Sequence, residues 1–151
     1  MSQLKDKINA DLKAAMLARD TVKTQTLQGL KAAILNEEVA KKVREVGLDE
    51  PSIEQLIARE CKKRDEAAEL FERGGNAESA AKERTEKEIL QVYLPKQLTE
   101  SELAELIDKT IETMQPLGMQ DMGKVIGAVK GQVGSAGDGA MIAKLVKEKL
   151  Q

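Results

Sequence analysis

Apolar residues recur every three to four positions along almost the whole chain, and this spacing constrains the fold more than any other feature. In the first segment Leu4, Ile8 and Leu12 follow it, with polar residues between them. Side chains spaced in this way lie on one face of an α-helix. The only aromatic residues are Phe71 and Tyr93, and no segment is a strong candidate for a strand. The core is therefore predicted to consist of Leu, Ile, Val, Ala and Met packed between helices, in an all-α fold.

Residues that cap or break helices divide this pattern. A Ser or Thr followed three residues later by Gln or Glu can form a capping box at a helix start, as in Ser52 with Gln55 and Thr99 with Glu102. Thr21 is predicted to cap the second helix. The predicted helices run from residue 2 to about 18, from 21 to before Gly47, from 52 to 73, from 76 to about 94, from 99 to about 114, from 121 to the turn at Gly134, and from 139 to about 150.

The stretch LPKQLTESE, residues 94–102, separates two parts of the chain. It joins a proline linker to a new helix start, and seven of the eleven glycines follow it, between Gly118 and Gly139. We therefore predict a domain boundary near Pro95. A helical N-terminal domain is expected over residues 1–95 and a small C-terminal domain of three helices over residues 96–151.

Three of these glycines, Gly123, Gly127 and Gly131, are four residues apart, which places them on one face of a helix. Each glycine inside a helix costs about 0.5–1 kcal/mol relative to alanine, so a shared face of three needs a reason. Close packing of a neighbouring helix against this bare face is the favoured interpretation. The alternative is contact with a nucleic-acid backbone, for which the N–H groups at a helix N-terminus and the amine of Lys124 are suited.

The other glycines and two aspartates of this segment are predicted to shape the helix ends. Asp121 and Asp138 are expected to be N-caps. Gly134, Gly137 and Gly139 are expected to form the turn between the last two helices, with positive φ angles that glycine adopts without strain.

The composition argues against several kinds of site. The chain has no histidine and a single cysteine, Cys61, so the commonest general base, the commonest zinc ligand and any intrachain disulfide are missing. No pair of carboxylates stands out as catalytic, and the glycine-rich segment fits neither of the common nucleotide-binding glycine motifs. We therefore predict no catalytic residues, no metal site and no cofactor.

The charge and the absence of long apolar runs bear on partners and location. The net charge of −2 and the pI of about 5.4 argue against a generic DNA-binding protein, so no DNA specificity is expected. The N-terminus lacks the apolar core of a signal peptide, and no apolar run approaches the roughly 20 residues that cross a bilayer. We expect a cytoplasmic protein without membrane association.

Four stretches resemble the motifs of YqeY-like proteins in the GatB/YqeY family. The first part of the chain contains ARECKKRDEAAELFERGGN and EKEILQVYLPKQLTESEL, with a YLP-x-QL junction between its helical parts. The second part contains DMGKVIGAVKGQV and DGAMIAKLVKEKL, which are similar to the family's M-G-K-V-x-G motif and final helix. The resemblance covers essentially the whole chain. It implies an all-helical protein with a helical N-terminal region and a small helical C-terminal domain.

The resemblance also implies a function. The C-terminal domain is similar to the tail of the B subunit of the tRNA-dependent amidotransferase, a carbon–nitrogen ligase with glutamine as amido-nitrogen donor, and that tail is associated with tRNA binding. Gly123, Lys124, Val125, Gly127, Asp138, Gly139 and Lys144 match the tail motif. The chain departs from the family at GSAGDG, residues 134–139, where relatives commonly carry a turn with lysine and arginine.

These observations lead to a functional expectation with two rivals. We expect a protein that is not an enzyme by itself, binds tRNA and assists a protein of the translation or tRNA-amidation machinery. One rival is a helical protein–protein interaction module without nucleic-acid binding, and the other is an enzyme of the amidotransferase type. The residues expected to contact RNA phosphates are Lys124, Lys130, Lys144 and Lys147, with Arg59, Lys62 and Lys63 as a second patch.

Overall fold

A computed structural model, which describes residues 2–151, shows a chain built from helices. No strand occurs among the described residues, which confirms the predicted all-α class. Within residues 2–151, no helix combines the length and the apolar character needed to cross a membrane. Two short 3-10 turns cover Met119–Asp121 and Gly134–Ala136. The α-helices are α1 (Gln3–Leu17), α2 (Thr21–Ala40), α3 (Glu50–Arg73), α4 (Ala77–Gln91), α5 (Glu100–Met114), α6 (Met122–Val133) and α7 (Gly139–Leu150).

Contacts divide the chain into two compact units, of which the first is Met1–Leu94. The short connection at residues 74–76 lets α3 and α4 pack along each other as a hairpin, and α1 packs beside α2. The hydroxyl of Tyr93, just after α4, donates a 2.6 Å hydrogen bond to Asp11 on α1. The largest buried side chains of this core are Ile8, Leu27, Leu30, Ile34, Ile53, Ile57 and Leu90.

The second unit is Pro95–Gln151, and it contains α5, α6 and α7. Each helix packs against the other two. Their buried side chains form one core: Leu103, Ile107, Val125, Val129, Ile142, Leu145 and Val146. That each unit is a domain able to fold alone stays a prediction.

The helix starts show which capping predictions were correct. Thr99 and Glu102 form the predicted capping box, and Asp138 caps α7 through a hydrogen bond from the Ala140 N–H. The predicted box of Ser52 with Gln55 is wrong. Asp49 is the N-cap of α3, and it accepts a hydrogen bond from the Ser52 N–H.

Two other predicted caps are also displaced. Asp20 caps α2, and Thr21 is the first helical residue. Asp121 makes no capping bond to α6, because its carboxylate accepts from the Leu117 N–H at 2.9 Å and closes the turn before the helix. Asp20 accepts from the N–H of Lys23, three residues after it, whereas Asp121 accepts from the N–H of Leu117, four residues before it. The local sequence does not decide which of these two hydrogen bonds an aspartate forms.

Helix α2 ends at Ala40, earlier than predicted, because a buried carboxylate holds the chain after it. Lys42 has a left-handed backbone with φ of 59°. The Glu38 side chain is only 2% exposed and accepts hydrogen bonds of 2.9 Å from both the Lys5 amine and the Leu48 N–H. This contact brings residues 47 and 48 back against the helix instead of extending it.

The buried face of α2 also differs from the predicted one at its ends. The apolar spacing of the second helix predicts a buried stripe of Val22, Leu27, Leu30, Ile34 and Val39. Val22 and Val39 are exposed instead. Thr26 and Glu38 are buried in their place, four residues before Leu30 and four residues after Ile34. Glu38 follows Leu30 and Ile34 at the same spacing of four residues. This spacing was the one sequence signal that could have predicted its burial.

Candidate nucleic-acid interface

Gly123, Gly127 and Gly131 form a bare stripe, here called the glycine stripe, on the outward face of α6. All three are exposed, and a methyl group added at any of them would meet no other atom within 4 Å beyond the neighbouring backbone. Val125 and Val129, which are fully buried, lie on the opposite side of the helix. The predicted close packing of another helix against these glycines is therefore wrong. The stripe lowers the stability of α6 without a packing gain inside the chain.

Lys124 and Lys130 flank the glycine stripe. Successive residues of an α-helix are rotated by about 100° around its axis. Viewed along the axis, Lys130 therefore lies about 20° outside Gly123 at one edge of the stripe, and Lys124 lies about 20° outside Gly131 at the other edge. The Lys124 side chain is 77% exposed and its amine is 3.7 Å from the Asp121 carboxylate. The outward face of α6 therefore presents bare backbone between two amines.

Lys144 and Lys147 form a second pair, on the outward face of α7. Both are exposed, and they lie on the side opposite the buried Ile142 and Val146. Neither has an ion pair within residues 2–151, whereas Lys149 is bound to Asp108 at 2.6 Å. The four predicted tail lysines thus occur as two pairs, one on each helix.

The basic residues predicted as a second patch, in α3, are mostly neutralised. The Arg59 guanidinium is 2.6 Å from the Glu37 carboxylate, and the Lys63 amine is 3.5 Å from Glu60. Of the three residues in this patch, Lys62 alone is exposed and without an ion pair to any described residue. This patch offers less positive charge than the sequence suggested.

The glycines of the turn before α7 have different reasons for being glycine. Gly134 has a φ of 54°, as predicted. Gly137 has a φ of −119°, so the predicted positive φ is wrong there. A methyl group on Gly137 would come within 2.7 Å of the Val133 side chain and 3.1 Å of Ile142, so space excludes any larger residue. Gly139 does not have a positive φ either, so that prediction is wrong there too; it is the first residue of α7 and lies close to the Lys130 amine.

Two further groups bear on the chemistry of the chain. Cys61 is buried, and burial raises the pKa of its thiol, which keeps it in the weakly nucleophilic neutral form at pH 7. No group of three or more metal-binding side chains comes together in the part of the chain that the structure describes.

Three curated proteins similar to this chain share a name. The protein called "Altered inheritance of mitochondria protein 41, mitochondrial" from Pyrenophora tritici-repentis is 27% identical over 145 residues, which are 94% of this chain and 78% of that protein. The proteins of the same name from Eremothecium gossypii and Lachancea thermotolerans are 31% and 30% identical over 87 residues. Those matches cover 58% of this chain and 46% of each relative, so the chain spans less than half the length of these two proteins.

The comparisons contradict the expected location and confirm the expected family. All three are named as mitochondrial proteins, which contradicts the cytoplasmic location expected from the sequence. The sequence pattern of the Yqey-like protein family matches residues 5–150, the whole of both units except their outermost residues. The chain therefore belongs to the YqeY-like protein family.

Proposed function

We propose that this protein binds tRNA through its C-terminal unit and acts as a non-catalytic accessory protein in tRNA-dependent amidation. The observation that carries the proposal is the glycine stripe between Lys124 and Lys130. Three glycines on the solvent side of a helix destabilise it, and a methyl group at any of them would meet no other described residue within 4 Å beyond the neighbouring backbone. Close contact with the backbone of a partner would explain why these positions are glycine. The two flanking amines favour a partner with phosphates.

The chemistry of the stripe suits an RNA backbone. Without Cβ atoms, a phosphodiester chain can approach the helix closely, while the lysine amines on each side neutralise its charge. Lys144 and Lys147 supply further phosphate contacts from α7. With only two aromatic residues in the chain, recognition rests on the shape of the RNA and not on base stacking.

The connection to amidation rests on the likeness of α5–α7 to the tail of the amidotransferase B subunit. The accessory role is proposed, in preference to ligase activity, because no activated nucleophile or nucleotide-binding loop is evident in the sequence. The GSAGDG turn lacks the lysine and arginine common in relatives. Binding by this chain therefore depends more heavily on the four lysines of α6 and α7.

The test is a titration of labelled bulk tRNA followed by fluorescence anisotropy at two salt concentrations. We expect micromolar affinity that falls as salt rises. The double variant Lys124→Glu, Lys130→Glu should weaken binding strongly and reduce the slope of log K against log salt by about two, one for each lost phosphate contact.

The matched control is Lys13→Glu, Lys109→Glu, which makes the same change in charge at exposed lysines away from α6 and α7. It should leave most of the affinity intact. Duplex DNA of similar charge should bind more weakly than tRNA. If tRNA does not bind even at low salt, where electrostatic attraction is strongest, the proposal is wrong and a protein-interaction module becomes the better account.

A further inference from the structure

A half-open cavity of about 250 Å³ lies between α1 and α2 of the first unit. Its walls are apolar, with Ile8 from α1 and Ile34 and Leu35 from α2. Asn9 and Lys31 lie at its polar edge. The sequence did not predict this cavity, because it exists only where α1 and α2 meet.

The apolar surface continues beyond the cavity along α2. Leu35 is 44% exposed and Val39, one turn further, is 54% exposed. Val46, in the loop after α2, is more exposed than either. Single exposed apolar residues are normal on protein surfaces. A row of them that runs out of a cavity is typical of a groove that a partner covers.

One polar group in the cavity lacks a partner within the described chain. The side-chain oxygen of Asn9 is buried and accepts no hydrogen bond. An unsatisfied buried acceptor costs about 1–3 kcal/mol. The oxygen is covered by the chain, so a donor from outside would reach it only after the Asn9 side chain turns toward the cavity.

The charges around the groove are positive. Glu38 is already bound by Lys5, so neither adds net charge. Among the described residues Lys31, Lys42 and Arg44 have no ion pair, and Glu45 is the acidic residue beside them. A partner with carboxylates next to its apolar residues would therefore be favoured over one with amines.

The size of the cavity argues for a protein side chain over a small free ligand. Pockets for small molecules usually measure about 300–1,000 Å³ and enclose most of the ligand. A half-open space of about 250 Å³ is smaller than that. It fits one large apolar side chain, and the helix carrying that side chain would cover Leu35 and Val39 as it lies along α2.

We propose that the groove between α1 and α2 binds an acidic amphipathic helix of another protein. One bulky apolar residue of that helix fills the cavity, and the residue one turn away packs on Val39. Its flanking carboxylates pair with Lys31, Lys42 and Arg44. The residues of this groove belong to the first unit, and the proposal does not rest on the tRNA binding proposed for the second.

The probe is a phage-displayed library of helical peptides with randomised surface positions, selected on the immobilised full-length chain. We expect the enriched peptides to carry bulky apolar residues four positions apart with Asp or Glu beside them. The variant Leu35→Lys should weaken the selected peptides at least about tenfold, as loss of a central contact does. Leu70→Lys, which changes an exposed leucine on α3 in the same way, should leave their affinity nearly unchanged.

Two further measurements keep the test decisive. On binding of a selected peptide, the side-chain amide resonances of Asn9 should shift, and Lys31→Glu with Lys42→Glu should weaken binding. Failure to enrich peptides, enrichment of basic peptides, or equal binding to Leu35→Lys would overturn the proposal. So would light scattering that shows a dimer of the chain lost in Leu35→Lys, since the groove would then bind a second copy.

Discussion

At the scale of single residues, the buried carboxylate of Glu38 accepts hydrogen bonds from the Lys5 amine and the Leu48 N–H. Burial by itself would raise the pKa of its carboxyl. Hydrogen bonds from Lys5 and Leu48, with the positive charges of Lys5 and Arg44, outweigh burial and lower that pKa below its ordinary value. The ionised form therefore stabilises the fold above the pKa of the unfolded chain, and this stabilisation is lost as pH falls through the folded pKa.

We expect Glu38→Gln to reduce the free energy of unfolding at pH 7 by about 1–3 kcal/mol, because the Lys5 amine loses its partner. The difference between the native chain and the variant should shrink as pH falls below the ordinary Glu pKa of 4.5. Urea denaturation followed by circular dichroism over a pH series measures both effects.

Glu37→Gln is the matched control for Glu38→Gln. Glu37 pairs with Lys41 and Arg59, whose side chains are largely exposed to solvent. Surface pairs of this kind contribute about 0–1 kcal/mol. An equal loss of stability in the two variants would show that the buried position of Glu38 does not matter.

At the scale of elements, α6 is expected to show a conflict between stability and binding. Gly127 lies in the middle of this helix, has room for a methyl group and does not have a positive φ. Gly127→Ala should therefore stabilise the chain by about 0.5–1 kcal/mol. The same methyl group would stand in the path of an RNA backbone on the glycine stripe, so tRNA affinity should fall.

Gly29→Ala provides the comparison on a different helix. Gly29 lies within α2, also has open space around it and has no positive φ. It should give a similar gain in stability with unchanged tRNA affinity. If Gly127→Ala binds tRNA as well as Gly29→Ala does, the stripe is not the contact surface.

The start of a helix was predictable from sequence where a single residue nearby could serve as its N-cap in a capping box. Thr99 with Glu102 formed the predicted capping box, because the neighbouring Ser101 has Ala104, and not Glu or Gln, three residues later. Before α3 the prediction considered only Ser52, but Asp49 is the N-cap and Pro51 lies in the first turn of the helix. The early end of α2 could not be predicted from the local sequence, because it depends on the contact between Glu38 and Lys5, which are 33 residues apart.

At the scale of the whole molecule, the class of fold followed from the apolar spacing, but the surfaces did not. The pattern of Gly123, Gly127 and Gly131 correctly placed three glycines on one face. It could not tell whether that face was buried or free, because the answer depends on which side of α6 packs against α5 and α7. The groove between α1 and α2 was missed for the same reason, since it exists only where two helices meet.

The division into two units leads to the last prediction, made on the full chain. Each unit has its own core, and Ile107 and Ile57 are fully buried, one in each. A small core of the second unit's size supplies no more than about 3–5 kcal/mol. An unpaired carboxylate in such a core costs several kcal/mol, enough to unfold that unit. We therefore expect Ile107→Asp to abolish amide-exchange protection in residues 95–151 and to preserve it in residues 2–94.

Ile57→Asp should give the reverse pattern, lost protection in residues 2–94 and retained protection in α5, α6 and α7. Hydrogen exchange read by mass spectrometry resolves the two regions in one experiment. The two variants control for each other, because each places the same charge in a buried isoleucine position. Loss of protection along the whole chain in either variant would mean that the two cores stabilise each other and that the chain folds as one cooperative domain.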